Sequence, residues 1–148
     1  MTSFTSPAFV AYAITSVILC LNLLVLWAFS GGVRTRTKTA VNSEDAALFK
    51  AQEVQFDPPP VARVLRAHAN AQATIYPFLI LGLVYVLIGG AYNVAVVIFA
   101  VFVLARLAHS VFYLAARQPW RTTAFTVSGV ALLALIVALI WRLATLGH

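Results

Sequence analysis

Four long apolar stretches divide this chain, and its charged residues gather between them rather than along them. The first covers residues 7–30, with no Lys, Arg, Asp or Glu before Arg34. Ser6-Pro7 supplies an N-cap and a proline at the first helical position, and Gly31-Gly32 is expected to end the helix. The second begins near Val61, after Asp57-Pro58-Pro59-Pro60, and continues to about Ile88. Gly89-Gly90-Ala91 makes an uncharged turn into a third stretch over residues 92–116. Gln118-Pro119 breaks that, and a fourth follows over 120–146. At about 1.5 Å per residue each can cross a hydrocarbon layer of about 30 Å. The pattern predicts an all-α fold, an integral membrane four-helix bundle forming a single domain over residues 1–148. The first span is expected to be retained, because a cleaved signal has a basic start and a shorter apolar core. A kink is expected at Pro77, which removes one backbone bond inside the second span.

Composition agrees with this reading. Of the 148 residues 62% are hydrophobic and 9% charged, against about 25% charged in a soluble domain. The net charge of +6 raises nucleic acid as a partner, but placement argues against one. Nine of the ten Lys and Arg lie between Arg34 and Arg121, mostly at predicted helix ends, where membrane lipid or a small anionic ligand is the expected partner. The first and third connections, with their edges, hold eight basic residues and so mark the cytoplasmic side. Both termini then face away from the cytosol. Trp27, Trp120 and Trp141 fall near helix ends, as interfacial anchors do. Cys20 is the lone cysteine, which leaves no intrachain disulfide or thiolate metal cluster, and no metal site is expected. Only two intramembrane histidines, His68 and His109, are available, too few for a multi-haem bundle with paired axial ligands.

The connection over residues 31–60 is longer than the 12 to 15 residues usual in a compact domain and holds all four acids, Glu44, Asp45, Glu53 and Asp57. Ser43 is expected to cap a short helix with Glu44 and Asp45 in its first turn. Such a loop is expected to fold over something.

Candidate chemistry lies where polar residues enter the spans. Helical spacing puts Arg66, Asn70, Ala73 and Pro77 on one stripe, His68 and Gln72 on another, and Arg106, His109 and Tyr113 on one face of the third span. Counted from the Gly89-Gly90 turn, Arg66, Asn70, His109 and Tyr113 reach similar depths, and Arg34 and Arg121 close and open their helices at the same level. An arginine inside a span is costly and is normally paired or turned to a wet cavity. No acid is available in a span to pair Arg106, so either it binds backbone carbonyls of a neighbouring helix or it lines an anion-holding cavity. Arg121 at a helix N-terminus either reflects the basic bias of cytoplasmic loops or completes an anion site. Thr122 is either a helix-cap hydroxyl or a group at that site.

Arg66-Ala67-His68-x-Asn70, Ile75-Tyr76-Pro77-Phe78 and Arg106-x-x-His109-Ser110-x-x-Tyr113-Leu114 resemble the MAPEG superfamily of membrane proteins in eicosanoid and glutathione metabolism. The branch most similar holds microsomal glutathione transferase and microsomal prostaglandin E synthase, and the match covers about Val33 to Thr126. The resemblance implies a homotrimer of four-helix subunits that binds glutathione as co-substrate between adjacent subunits near the cytoplasmic face. It implies that Arg34 and Arg66 contact the tripeptide's carboxylates, Asn70 its polar backbone, and His109 and Tyr113 its γ-glutamyl end. Arg121 would lie near the sulfur beside the hydroxyl of Thr122, which stands where the synthase branch has serine. Asp45 matches an aspartate suggested as a proton acceptor in the synthases. Ala73 replaces a glutamate of the family pattern, Ala69 an arginine of the synthase branch, and Phe125 a tyrosine of that branch.

These residues imply an enzyme that ionises the glutathione thiol beside Arg121 and directs it at a lipophilic electrophile or lipid hydroperoxide arriving from the bilayer. A glutathione-dependent isomerase of a cyclic endoperoxide and a non-catalytic lipid-binding member are the alternatives within the family. A proton-coupled multidrug transporter would want a membrane-embedded acid. The membrane is either the bacterial inner membrane or the endoplasmic reticulum.

Overall fold

Ser6 begins the first helix by accepting a hydrogen bond at Oγ from the Phe9 amide at 3.3 Å, with Pro7 in the first turn. In the computed structural model, which describes residues 5–146, the elements follow in order: α1 (Pro7–Thr37), β1 (Thr39–Ala40), α2 (Ser43–Phe49), β2 (Gln52–Glu53), α3 (Pro59–Leu87), α4 (Tyr92–Leu114) and α5 (Trp120–Leu146). The first four and last two residues of the expected domain lie outside the described ones.

The four long helices are those read from the apolar pattern, and each is long and apolar enough to cross a membrane. Two pack on either side of a shared core: α1 lies against α3 and α4, and α5 against α4 and α3. The core is aromatic at its centre. Phe78 of α3 stacks on Phe102 of α4 at 3.7 Å between ring centroids and meets Phe99 edge-on at 5.6 Å; Leu19, Leu26, Ile75 and Leu135 close around these rings. The opposite faces of α1 and α5 carry Ile14, Val17, Leu21, Leu133, Val137 and Ile140, all exposed. Apolar side chains displayed all along a bundle are what hydrocarbon solvates. The protein is an integral, multi-pass membrane protein.

Three local expectations are corrected. The first helix does not stop at Gly31-Gly32 but continues to Thr37. A glycine costs a helix interior about 1 kcal/mol, too little to break an otherwise regular helix of 31 residues, and the stop comes where Lys38 turns left-handed at φ 50°. Arg34 is therefore held on the last turn of α1 rather than in a loop. Asn42, not Ser43, caps α2, its Oδ1 accepting from the Asp45 amide at 2.9 Å; an Asn oxygen reaches the third helical amide as well as a serine does. The third helix starts at Pro59 and the fourth ends at Leu114, each two residues before the expected position.

The long connection is ordered by a short parallel pairing that periodicity could not show. Gln52 donates its amide to the Lys38 carbonyl and Val54 to that of Ala40, both at 2.8 Å. This folds residues 38–54 back over the end of α1. At the other end of the bundle Gly90 has no room for a side chain: a Cβ there would enter the Tyr85 ring, whose hydroxyl accepts from the Ala91 amide at 3.1 Å. That contact sets how α3 turns into α4. The third helix runs unbroken through Pro77.

Candidate functional site

The end of α1, the start of α3, the end of α4 and the start of α5 lie at one end of the bundle, and most of the chain's basic residues collect there, Arg142 standing at the other end against Ile88. His109 and Tyr113 are four apart on α4, Arg121 and Phe125 four apart on α5, so each pair forms a stripe, and the two stripes face each other. The His109 ring lies 5.5 Å from the Tyr113 ring and 5.8 Å from that of Phe125. The Arg121 guanidinium sits 4.7 Å over the Tyr113 ring, a cation-π contact that fixes its direction.

His109 is buried and its Nδ1 lies 3.0 Å from the Arg121 carbonyl. A carbonyl only accepts, so Nδ1 carries the proton and donates, and in the neutral ring Nε2 is a bare acceptor. That Nε2 is buried without a partner among the described residues. Arg121 is thus gripped twice, by its backbone through His109 and by its side chain through Tyr113.

Thr122 is exposed beside it, next to the Gln118 amide. One orientation of that amide has Thr122 Oγ1 donating to Gln118 Oε1 at 3.0 Å, but the amide N–H₂ would then face guanidinium N–H groups. Turned over, the Gln118 oxygen accepts from Arg121 Nη2 at 2.6 Å and Nε at 3.1 Å, and its nitrogen donates to Thr122 Oγ1 at 3.0 Å. Guanidinium and NH₂ groups have no lone pair to offer each other, so the second orientation is the physical one. Sequence reasoning treated Gln118 only as a helix breaker. Its signal was the spacing to Arg121 and Thr122, three and four residues on, which the first turn of a helix brings together.

Arg106 is fully buried. Its Nη2 donates to the side-chain oxygen of Asn70 at 3.1 Å, joining α4 to α3, while Nε and Nη1 have no partner among the described residues. Among the described residues Arg106 bonds no backbone carbonyl. A side-chain amide supplies the acceptor that no acid in a span could.

The remaining candidates stand apart from this cluster. Arg34 pairs with Asp57 at 3.3 Å, an acid the sequence reading had left without a role. Arg34 and Asp45 line a cavity of about 370 Å³ with Lys38, Val41 and Phe49, roofed by the folded-back connection. Asp45 is exposed on the first turn of α2 and makes no described contact with Arg121 or Thr122. Arg66 is exposed on α3. None of the five principal cavities holds more than one of Arg34, Arg66 and Arg121.

Residues 12–141 match the family model described as the MAPEG family. The chain belongs to the MAPEG family. Among curated MAPEG relatives, prostaglandin E synthase of Homo sapiens is 37% identical over 95% of this chain and 93% of its own length. Prostaglandin E synthase of Equus caballus is 38% identical, over 95% and 92%. Microsomal glutathione S-transferase 1 of Rattus norvegicus is 37% identical over 84% of this chain and 83% of its own.

Proposed function

We propose that this MAPEG protein is a glutathione-dependent membrane enzyme that holds the tripeptide's sulfur as thiolate beside Arg121 and delivers it to lipophilic electrophiles. The observation that carries the reading is the grip on Arg121: a guanidinium at the start of α5, seated over Tyr113 with its backbone tied to buried His109. A charge held in advance stabilises an anion without reorganising when the anion forms. The N-terminal amides of α5 add positive potential at the same place. A free thiol has a pKa near 8.5, and a neighbouring cation moves it toward ionisation at neutral pH. The proton leaves to water, the sulfur lone pair forms a carbon–sulfur bond, and the electrophile's leaving group departs with its electron pair. With a lipid hydroperoxide the thiolate attacks the outer peroxide oxygen, the O–O bond breaks and the lipid leaves as its alcohol, and the glutathione sulfenic acid so formed reacts with a second glutathione to give the disulfide and water.

Separation of Arg34 and Asp45 from Arg121 in one chain supports a site built from two copies, with the roofed cavity of one subunit set against the α4–α5 cluster of its neighbour. We read the assembly as a homotrimer with its site on the cytoplasmic side. Arg34, Arg66 and Asn70 then hold the polar ends of glutathione, His109 and Tyr113 its γ-glutamyl part, and Phe125 the apolar wall. Arg106 acts through Asn70.

Glutathione added to detergent-solubilised protein at neutral pH is expected to raise the thiolate absorbance near the ultraviolet edge, and Arg121→Ala to abolish that rise while leaving helical content unchanged. No rise in the unaltered protein sinks the reading. A second reading, a glutathione-dependent isomerase of a cyclic endoperoxide, is favoured by the prostaglandin E synthase relatives. Turnover of a chlorinated nitroaromatic against turnover of the endoperoxide separates the two.

A further inference from the structure

Gln118 lies outside every motif that carries the family resemblance, yet its amide touches both groups assigned to the sulfur. Its oxygen accepts from two guanidinium donors of Arg121, at 2.6 and 3.1 Å, and lies 3.3 Å from Thr122 Oγ1, to which its nitrogen donates at 3.0 Å. We infer that Gln118 is the positioning residue of the thiolate site, an amide clamp that aims Arg121 and Thr122 without neutralising either. This rests on the reading of Arg121 as the thiolate-stabilising cation.

Polarity is the core of the argument. An amide oxygen accepts from the guanidinium yet carries no net charge, so Arg121 keeps its full positive charge for the sulfur. A carboxylate in the same place would hold the fork at least as firmly but cancel that charge. On the other side, Thr122 Oγ1 receives a hydrogen from the Gln118 nitrogen at 3.0 Å, and the Gln118 oxygen, already holding two guanidinium donors, offers its O–H only a longer contact of 3.3 Å, so that proton can turn to S⁻ without breaking the clamp. A carboxylate would reverse that bond and capture the hydroxyl proton. Only the primary amide satisfies both neighbours in the useful sense. Helical spacing makes the arrangement available, since Gln118 precedes Arg121 by three and Thr122 by four at the entrance to α5. The Tyr113 ring under the guanidinium and the His109 bond to the Arg121 carbonyl close the remaining directions.

The test compares Gln118→Glu, nearly isosteric, with Gln118→Ala and the shorter amide Gln118→Asn. Gln118 is exposed, so all three are expected to fold, with helical content as the check. For Gln118→Glu the pH titration of bound-glutathione thiolate absorbance is expected to shift upward by about one unit or more, the size of effect a charge within 4–6 Å produces. Glutathione affinity, measured calorimetrically, should change by less than about threefold, since the clamp orients rather than binds. Gln118→Ala should lower kcat with little change in KM for glutathione, and Gln118→Asn should recover part of it. A readout without glutathione follows the clamp itself: the Nε–H proton of Arg121, seen by NMR with labelled arginine, should exchange slowly in the unaltered protein and fast in Gln118→Ala. If Gln118→Glu titrates with the unaltered protein and Arg121 exchange is the same in Gln118→Ala, the clamp is overturned while the thiolate reading stands. If the unaltered protein forms no thiolate, or Arg121→Ala leaves it intact, both fall.

Discussion

At the scale of single residues, the polar contacts in this membrane protein are few and each carries weight, because hydrocarbon offers no substitute partner. The Arg106–Asn70 bond is the clearest case. Removing one partner of a buried bond leaves the other unsatisfied at about 1–3 kcal/mol, more when that other is charged. Asn70→Ala is therefore expected to lower stability by roughly 2–3 kcal/mol, whereas Asn70→Asp, which offers the guanidinium an acid, should keep or raise it. Unfolding in mixed micelles followed by circular dichroism checks the order of the two variants. The place of Asn70 near the entry of its span was legible in the sequence; its bond to Arg106 was not, because spacing along one helix says nothing about which rotation a neighbouring helix adopts.

At the scale of elements, the extent of α1 decides where Arg34 points. A stop at Gly31-Gly32 would have left Arg34 in a mobile connection, whereas the helix ends instead at left-handed Lys38. That conformation costs an L-residue about 1–2 kcal/mol, most for β-branched side chains. Lys38→Val is expected to destabilise the α1–β1 corner by about that amount, and Lys38→Gly to relieve it; hydrogen exchange of the Gln52 amide, which bonds to the Lys38 carbonyl, reports on both. The Arg34–Asp57 pair next to it is partly exposed, 39% and 22% by side chain, and such pairs stabilise by at most about 1 kcal/mol. Its value to the protein is one of direction: Asp57 restrains the guanidinium of Arg34, a residue that lines the roofed cavity.

At the scale of the whole molecule, a site divided between copies makes a prediction no single-chain site shares. Arg34→Ala and Arg121→Ala subunits, each expected to be inactive alone, should regain a fraction of activity when co-expressed and co-purified, because some neighbouring pairs then bring an intact Arg34 to an intact Arg121. Recovery absent from mixed assemblies whose composition is verified by native mass spectrometry would place the whole site within one chain. The same geometry fits a lipophilic partner entering sideways, since the Phe125 side of the cluster is exposed on the outer surface of α5, which faces the bilayer or a neighbouring copy.

The sequence alone settled the four spans, the bundle and the family. Those follow from quantities that add along the chain: runs of apolar residues long enough for a bilayer, prolines and glycines between them, and motifs at helical spacing. Which residues meet was settled only in three dimensions. The end of α1 depended on backbone conformation at Lys38, the order of the acidic loop on the pairing of Thr39 with Gln52 and Ala40 with Glu53, and the partners of Arg34 and Arg106 on contacts across 23 and 36 residues. The amide sense of Gln118 depended on the donors that surround it. Depth in a membrane can be counted from a sequence because each helix rises evenly, but rotation about the helix axis is fixed by packing against neighbours.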